Sequence, residues 1–306
     1  MNIQNQSKSM EFVLEGISCP FQIPCFLAFL SLYALTLTGN VLIITIICLD
    51  PVLQTPMYFF LCNLSLLDIS YSSVTQPKFL SMLLTNDTGI SFNQCILQLY
   101  VFLSLASTEF LSLTAMAYDR YVAICNPLHY FILMSKKMCA LLTIMCWLVG
   151  FLDPMAHTVF ISRLNFCRSN IINHFYCDVS VLLNLSCDNT YFIEFMSIIV
   201  GSVFGLPAFI LTLSSYVCIV STIMKIPSSQ RRWKTFSTCV SHLTVVIIFY
   251  GTLLIVYMSP ITYYSSAKAK SLSLLYTVLI PLCNPLIYTL RNKDVTVSLW
   301  KFWNVK

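Results

Sequence analysis

An aspartate and an arginine stand side by side at Asp119-Arg120, at the end of a long apolar run. They sit inside the string Met116-Ala117-Tyr118-Asp119-Arg120-Tyr121-Val122-Ala123-Ile124-Cys125-Asn126-Pro127-Leu128-His129-Tyr130. A charge is costly inside hydrocarbon, so a charged pair where lipid meets water points to a working site. The plainer reading is an arginine that snorkels at a membrane edge. Asp68 and Glu109 read as the acidic residues deep within apolar runs. Two carboxyls set this deep can share a single proton or jointly hold a sodium ion. Phe102, Ala106, Glu109, Leu113, Met116 and Arg120 recur at helical spacing and share one face. At about 1.5 Å of rise per residue, Glu109 lies roughly 16 Å from Arg120 along that face. Asn284-Pro285 removes a backbone hydrogen bond and kinks its helix. His242 reads as a contact from the sixth apolar run to the third, or simply as a packing histidine.

These groups need a scaffold, and the composition says which kind. Hydrophobic residues make up 58% of the 306 residues and charged residues 9%, against about 25% charged in ordinary soluble domains. Seven runs are apolar enough to cross about 30 Å of hydrocarbon: 23–49, 57–82, 95–124, 138–161, 194–224, 235–260 and 271–291. The expected fold is an all-α membrane protein, a seven-transmembrane helix bundle. The chain reads as one domain over 1–306, with a tail at 1–22, a long loop at about 162–193 and a second tail at 292–306. In that last tail Val295, Leu299, Phe302 and Trp303 recur beside Lys293 and Lys301, the pattern of a short amphipathic helix on a membrane face. Gly201 and Gly205 are spaced for close helix packing.

Eleven Lys and Arg fall on one side of this arrangement and six on the other. The basic side is expected in the cytoplasm and the N-terminus outside. The net charge of +5 is thus a topology signal and gives no case for nucleic acid. The first 22 residues do not read as a cleavable signal peptide. Asn5-Gln6-Ser7 is a glycosylation sequon on the outer side. Cys95, Cys167, Cys177 and Cys187 also fall there, where disulfides form. Four cysteines allow three pairings, and Cys19 is left without an obvious partner.

The string around Asp119-Arg120 closely resembles the end of the third helix in odorant receptors, a branch of the rhodopsin-like G-protein-coupled receptors. Further matches follow in chain order: Gly39-Asn40; Thr55 to Leu61, leading to Asn63, Leu64 and Asp68; Trp147; Tyr216. The sixth run carries Lys234-Thr235-Phe236-Ser237-Thr238-Cys239-Val240-Ser241-His242-Leu243 and Phe249-Tyr250-Gly251-Thr252, and the seventh Pro281-Leu282-Cys283-Asn284-Pro285-Leu286-Ile287-Tyr288. Gln54, Trp233 and Cys283 depart from the usual wording without removing a mechanistic group. The resemblance implies an odorant receptor at the plasma membrane that activates a heterotrimeric G protein of the stimulatory/olfactory class and raises cyclic AMP. It favours the pairs Cys95–Cys177 and Cys167–Cys187, and a sodium ion at Asp68 and Glu109 as an allosteric modulator. It gives the coupling machinery to Asp119, Arg120, Tyr121, Pro127, Leu128, Tyr216, His242, Tyr250, Asn284, Pro285 and Tyr288.

The ligand site is expected in the outer third of the bundle, lined by Phe102, Leu103, Ala106, Ser107, Val200, Phe204, Leu253, Tyr257 and Thr277. These are mostly apolar, with a few hydroxyls and no charge. Amine receptors of similar fold carry an aspartate near the place of Phe102, so a small, neutral, mostly apolar odorant fits better. A class A receptor for a non-odorant small molecule or a peptide is the alternative, and a membrane transporter a more remote one. An enzyme is not expected: there is no Walker sequence, seven glycines leave little for phosphate loops, and no cysteine–histidine cluster suggests zinc. No resident cofactor follows apart from the sodium ion.

Overall fold

A computed structural model describes residues 11–17, 21–258, 266–290 and 293–304. Asn5 and Cys19 lie outside the described residues, as do the side chains of Leu253, Tyr257, Tyr288, Phe302 and Trp303. The order is β1 (Glu11–Leu14), α1 (Gln22–Leu49), α2 (Pro56–Thr85), β2 (Gly89–Ser91), α3 (Phe92–Cys125), α4 (Lys136–Ile161), β3 (Ile171–Ile172), α5 (Tyr191–Met224) and α6 (Ser229–Met258). The last apolar segment, α7, runs through Ser266–Leu274, a π turn at Leu275–Leu279, and Ile280–Leu290, before α8 at Lys293–Asn304. These are a seven-helix membrane bundle and a short terminal helix.

Five of the helical segments, α1, α3, α4, α5 and Lys270–Ile287 within α7, are both long and apolar enough to cross a bilayer. α2 and α6 have 30 residues each, about 45 Å of helix, so length suffices for both. α2 is the more polar because Ser65, Asp68, Ser72, Thr75 and Gln76 are buried against its neighbours. Large apolar side chains such as Leu35, Leu141, Leu148, Ile198, Leu213 and Val217 are exposed. That inversion fits a protein whose solvent is hydrocarbon.

Local signals explain the ends. Pro56 opens α2, where its missing N–H costs nothing. Asn86 closes the same helix in the left-handed conformation, at φ 57°. Ser91 and Gln94 form a reciprocal capping box at the start of α3. α3 is central, packed against α2, α4 and α5. Gly150 lets α4 lie directly against α3. A Cβ there would fall 2.1 Å from Thr108 Oγ1 and 2.8 Å from its backbone nitrogen.

The spacing of Gly201 and Gly205 predicts close packing, but a Cβ on either would meet nothing within 4 Å. The two lie in a π turn at Gly201–Gly205, and residues 201–204 are all exposed. α5 therefore stands off from its neighbours at this level.

One end of the bundle is capped. Disulfides join Cys95 to Cys177 and Cys167 to Cys187, with Cα separations of 5.5 and 5.9 Å. The N-terminal segment, expected as a plain tail, is a strand in this cap. β1 pairs antiparallel with β2 (Phe12 opposite Ile90) and parallel with β3 (Leu14 opposite Ile172). Phe12, Leu14, Ile90 and Ile172 are buried beneath it. Past β3, His174, Phe175 and Tyr176 plug the bundle mouth. His174 Nε2 lies 3.1 Å from Ser273 Oγ of α7, and Tyr176 hydrogen-bonds Tyr276.

At the other end α8 docks by burying Val295 and Ser298. Ser298 donates to Asp50 at 2.6 Å. The terminal helix is thus fastened to the turn after α1 as well as presenting an amphipathic face.

Two tests follow from this packing. Gly150→Val should drive α4 off α3 and lower surface abundance several-fold, read by surface labelling, whereas Gly201→Ala should change little. His174 is held at about 4, below its ordinary 6.5, chiefly by burial and also by Lys270, against an opposing pull from Asp178. It is neutral in the folded loop, so its contribution is complete above about pH 6.5 and is lost as pH falls toward about 4. Hydrogen exchange across 171–178 should rise on acidification in wild type and respond less in His174→Gln.

Candidate functional site

The charged pair sits where α3 ends. Arg120 donates to Asp119 Oδ2 through Nε at 2.9 Å and through a second guanidinium nitrogen. Asp119 Oδ1 accepts from Tyr130 at 2.9 Å. The carboxylate is 1% exposed on its side chain and Arg120 12%. One acid thus holds both the cation of α3 and the tyrosine of the following short helix, Tyr130–Leu133. Tyr121 is half-buried beside them. The turn between carries Pro127 and Leu128 at the surface, and Leu128, Phe131 and Ile132 form an apolar knob, exposed by 91, 83 and 74%.

Around this latch the helices exchange hydrogen bonds. Tyr216 of α5 bonds His242 of α6. A contact of His242 with α3, or plain packing, is the expectation; its Nδ1 also meets Tyr216 of the fifth helix, with ring centroids 5.9 Å apart. Arg120 is still within electrostatic reach of His242. Higher up, the Tyr250 hydroxyl lies 2.9 Å from Thr114 and 3.3 Å from Thr212. That cluster joins α3, α5 and α6 at one point.

The middle layer holds the acids. Asn284 donates to Asp68 Oδ1 at 3.0 Å and Oδ2 at 3.1 Å. Glu109 is buried within electrostatic reach of Asp68, and its Oε1 has no hydrogen-bond partner. Among the described residues no group of three His, Cys, Asp or Glu is placed to hold a metal ion. Pro285 leaves the carbonyl of Pro281 without its helical donor. Asn40 Nδ2 of α1 supplies that hydrogen bond at 3.1 Å. The proline kink is thereby the seam between α1 and α7.

The expected ligand-lining residues divide by element. Phe102 is buried in an aromatic stack, 4.7 Å from Tyr71 and 4.8 Å from Tyr176 by ring centroid. Leu103 and Ala106 are half-buried one turn apart on α3. Val200 is half-buried and Phe204 is 46% exposed, on the stretch of α5 that stands away from the bundle. Thr277 is buried, donating to the carbonyl of Ser273. Leu253 and Tyr257 have side chains outside the described residues.

Ser107 brings an acid to the edge of this uncharged set. Its hydroxyl donates to Asp153 Oδ2 at 2.9 Å. Asp153 lies inside α4, so Asp68 and Glu109 are not the only acids deep within spans. An acid ahead of Pro154 in an otherwise apolar run was the available signal.

The comparisons agree with this geometry. A model of the olfactory receptor family matches residues 29–306. The chain is 46% identical to olfactory receptor 13A1 of Homo sapiens, over 98% of this chain and 92% of that one. It is 46% identical to olfactory receptor 1 of Rattus norvegicus, over 96% of this chain and 95% of that one. With olfactory receptor 1E16 of Mus musculus the identity is 44%, over 98 and 96% of the two chains. The chain belongs to the olfactory receptor family: multi-pass plasma-membrane G-protein-coupled receptors for odorants, and not enzymes.

Proposed function

We propose that this receptor binds a small, neutral, mostly apolar odorant at its disulfide-bearing end. We assign its output to a heterotrimeric G protein of the stimulatory/olfactory class, which raises cyclic AMP. The N-terminus and the cap face outside, and the basic end faces the cytoplasm. The observation that carries the reading is the shared carboxylate of Asp119. It keeps Arg120 and Tyr130 occupied while the apolar knob of Leu128, Phe131 and Ile132 stands ready beside them.

Activation is then a two-state exchange. A ligand shifts the balance only by binding one state better than the other. Odorant contacts among α3, α5, α6 and α7 favour a bundle in which the basic end of α6 parts from α3 and α5. The Tyr216–His242 bond breaks, Arg120 leaves Asp119 and turns toward Tyr216 and Tyr288, and the exposed knob enters the G protein. The Tyr250 cluster is the pivot, because it touches all three moving helices.

Asp68 and Glu109 are the proposed place for a sodium ion. The donor set fits in one respect: Glu109 Oε1 is buried and has no hydrogen-bond partner, beside a second carboxylate. Bound there, the cation would supply positive charge between α2 and α3.

Arg120→Ala should abolish the cyclic-AMP response to an active odorant while surface labelling stays near wild type. Full signalling by that variant would refute the latch. Raising sodium should lower agonist potency several-fold in wild type and leave Asp68→Asn unmoved. Equal sodium sensitivity in the two proteins would remove the ion from the account.

A further inference from the structure

α4 brings an unexplained pair of polar groups into the bundle. Asp153 and His157 are one turn apart on this helix and share a face. Asp153 Oδ1 and His157 Nε2 are each buried from solvent, and among the described residues neither has a hydrogen-bond partner. Only the other carboxylate oxygen is occupied, by Ser107. A buried acceptor without a donor costs the full desolvation of the group, so the site is built for something that completes it.

The direction of the pair follows from its neighbours. Leu141, Ile144, Leu148, Leu152, Met155 and Val159 form the exposed stripe of α4, away from Asp153 and His157. Asp153 reaches α3 through Ser107. Phe160, one turn further on the same flank as Asp153 and His157, meets Phe192 at the start of α5, with ring centroids 5.3 Å apart. The acid and the imidazole therefore look into the crevice between α3 and α5. Neither atom is open to solvent in this conformation, so a ligand reaches them by parting α5 from α4, where α5 already stands off at Gly201–Gly205.

We infer that this crevice recognises the hydroxyl of a small alcohol or phenol. The inference rests on the odorant site proposed above and names its polar anchor. A hydroxyl is at once a donor and an acceptor. It gives its hydrogen to Asp153 Oδ1 and accepts from His157 Nε2–H, completing both groups with one atom. An aldehyde or ether accepts only, and leaves Asp153 Oδ1 bare. A carboxylate accepts only, and likewise leaves Asp153 Oδ1 bare. An ammonium ion satisfies the acid but accepts nothing from the imidazole and sets a second cation-forming group beside it. The apolar remainder of the ligand lies along Leu103 and Ala106.

The test uses the full-length receptor in cells with a cyclic-AMP reporter. Ligands are matched sets of primary alcohol, aldehyde, methyl ether, amine and carboxylic acid over a range of chain lengths, with a phenol series beside them. The alcohol or phenol should exceed its ether and aldehyde by about tenfold in potency, the value of one good hydrogen bond. Asp153→Ala and His157→Phe, checked for surface abundance, should each erase that preference and leave the weaker ether and aldehyde responses in place. An ether equal to its alcohol in wild type, an amine that outranks both, or variants that weaken all ligands alike would overturn the hydroxyl anchor alone. Silence toward every member of every series would overturn the anchor together with the odorant site on which it rests. The wild-type series decides the matter even where a variant fails to reach the surface.

Discussion

A bilayer offers no hydrogen bonds, so each polar group drawn into it must be answered by another helix. This constraint turns a greasy bundle into a specific machine. The carboxylate of Asp119 is the clearest case. It is nearly inaccessible, carries charge, and is answered by Arg120 on its own helix and Tyr130 beyond the next turn. Remove either donor and the acid is left short. Pull the arginine away, and another acceptor must be ready for it.

The same logic makes the rest of the bundle a chain of conditional contacts. Asn40 answers the carbonyl that Pro285 leaves bare, and so binds α1 to the kink of α7. Asn284 answers Asp68, and so binds α7 to α2. Tyr250 joins two threonines from α3 and α5. Tyr216 and His242 hold α5 to α6 near the latch. Each bond is modest alone, but each is costly to leave unmade. A rearrangement that exchanges several together has two preferred arrangements and few between, which suits a switch. The cap works differently. Two disulfides and three short strands fix the mouth, while the His174 to Tyr176 segment reaches down to α7.

Much of this was legible in the residues. Long apolar runs marked a helical membrane bundle, because a bilayer demands length and apolarity together. Asp119-Arg120, Asp68 and Asn284-Pro285 stood out because charge and proline are expensive where they sit. The strand at Glu11–Leu14 was not legible: four residues that pair with two other loops carry no periodicity of their own. The bond from His242 to Tyr216 was not legible, because spacing gives a face, while partner choice depends on how two helices cross. Asp153 was overlooked because composition treats an acid near a helix end as part of the boundary. The π turn hid behind the spacing of Gly201 and Gly205, which reads as a packing motif until the neighbouring helix proves absent.

The central claim is that the Asp119 carboxylate restrains the parting of α3 and α6 at the basic end. Spectroscopic labels at the exposed positions Tyr118 of α3 and Trp233 of α6 report that separation in the full-length receptor in lipid. The unliganded wild type should give one short distance, and an active odorant with G protein should add a longer one. Asp119→Asn should populate the longer distance without any ligand. A separation that ignores both the odorant and the substitution would contradict the account.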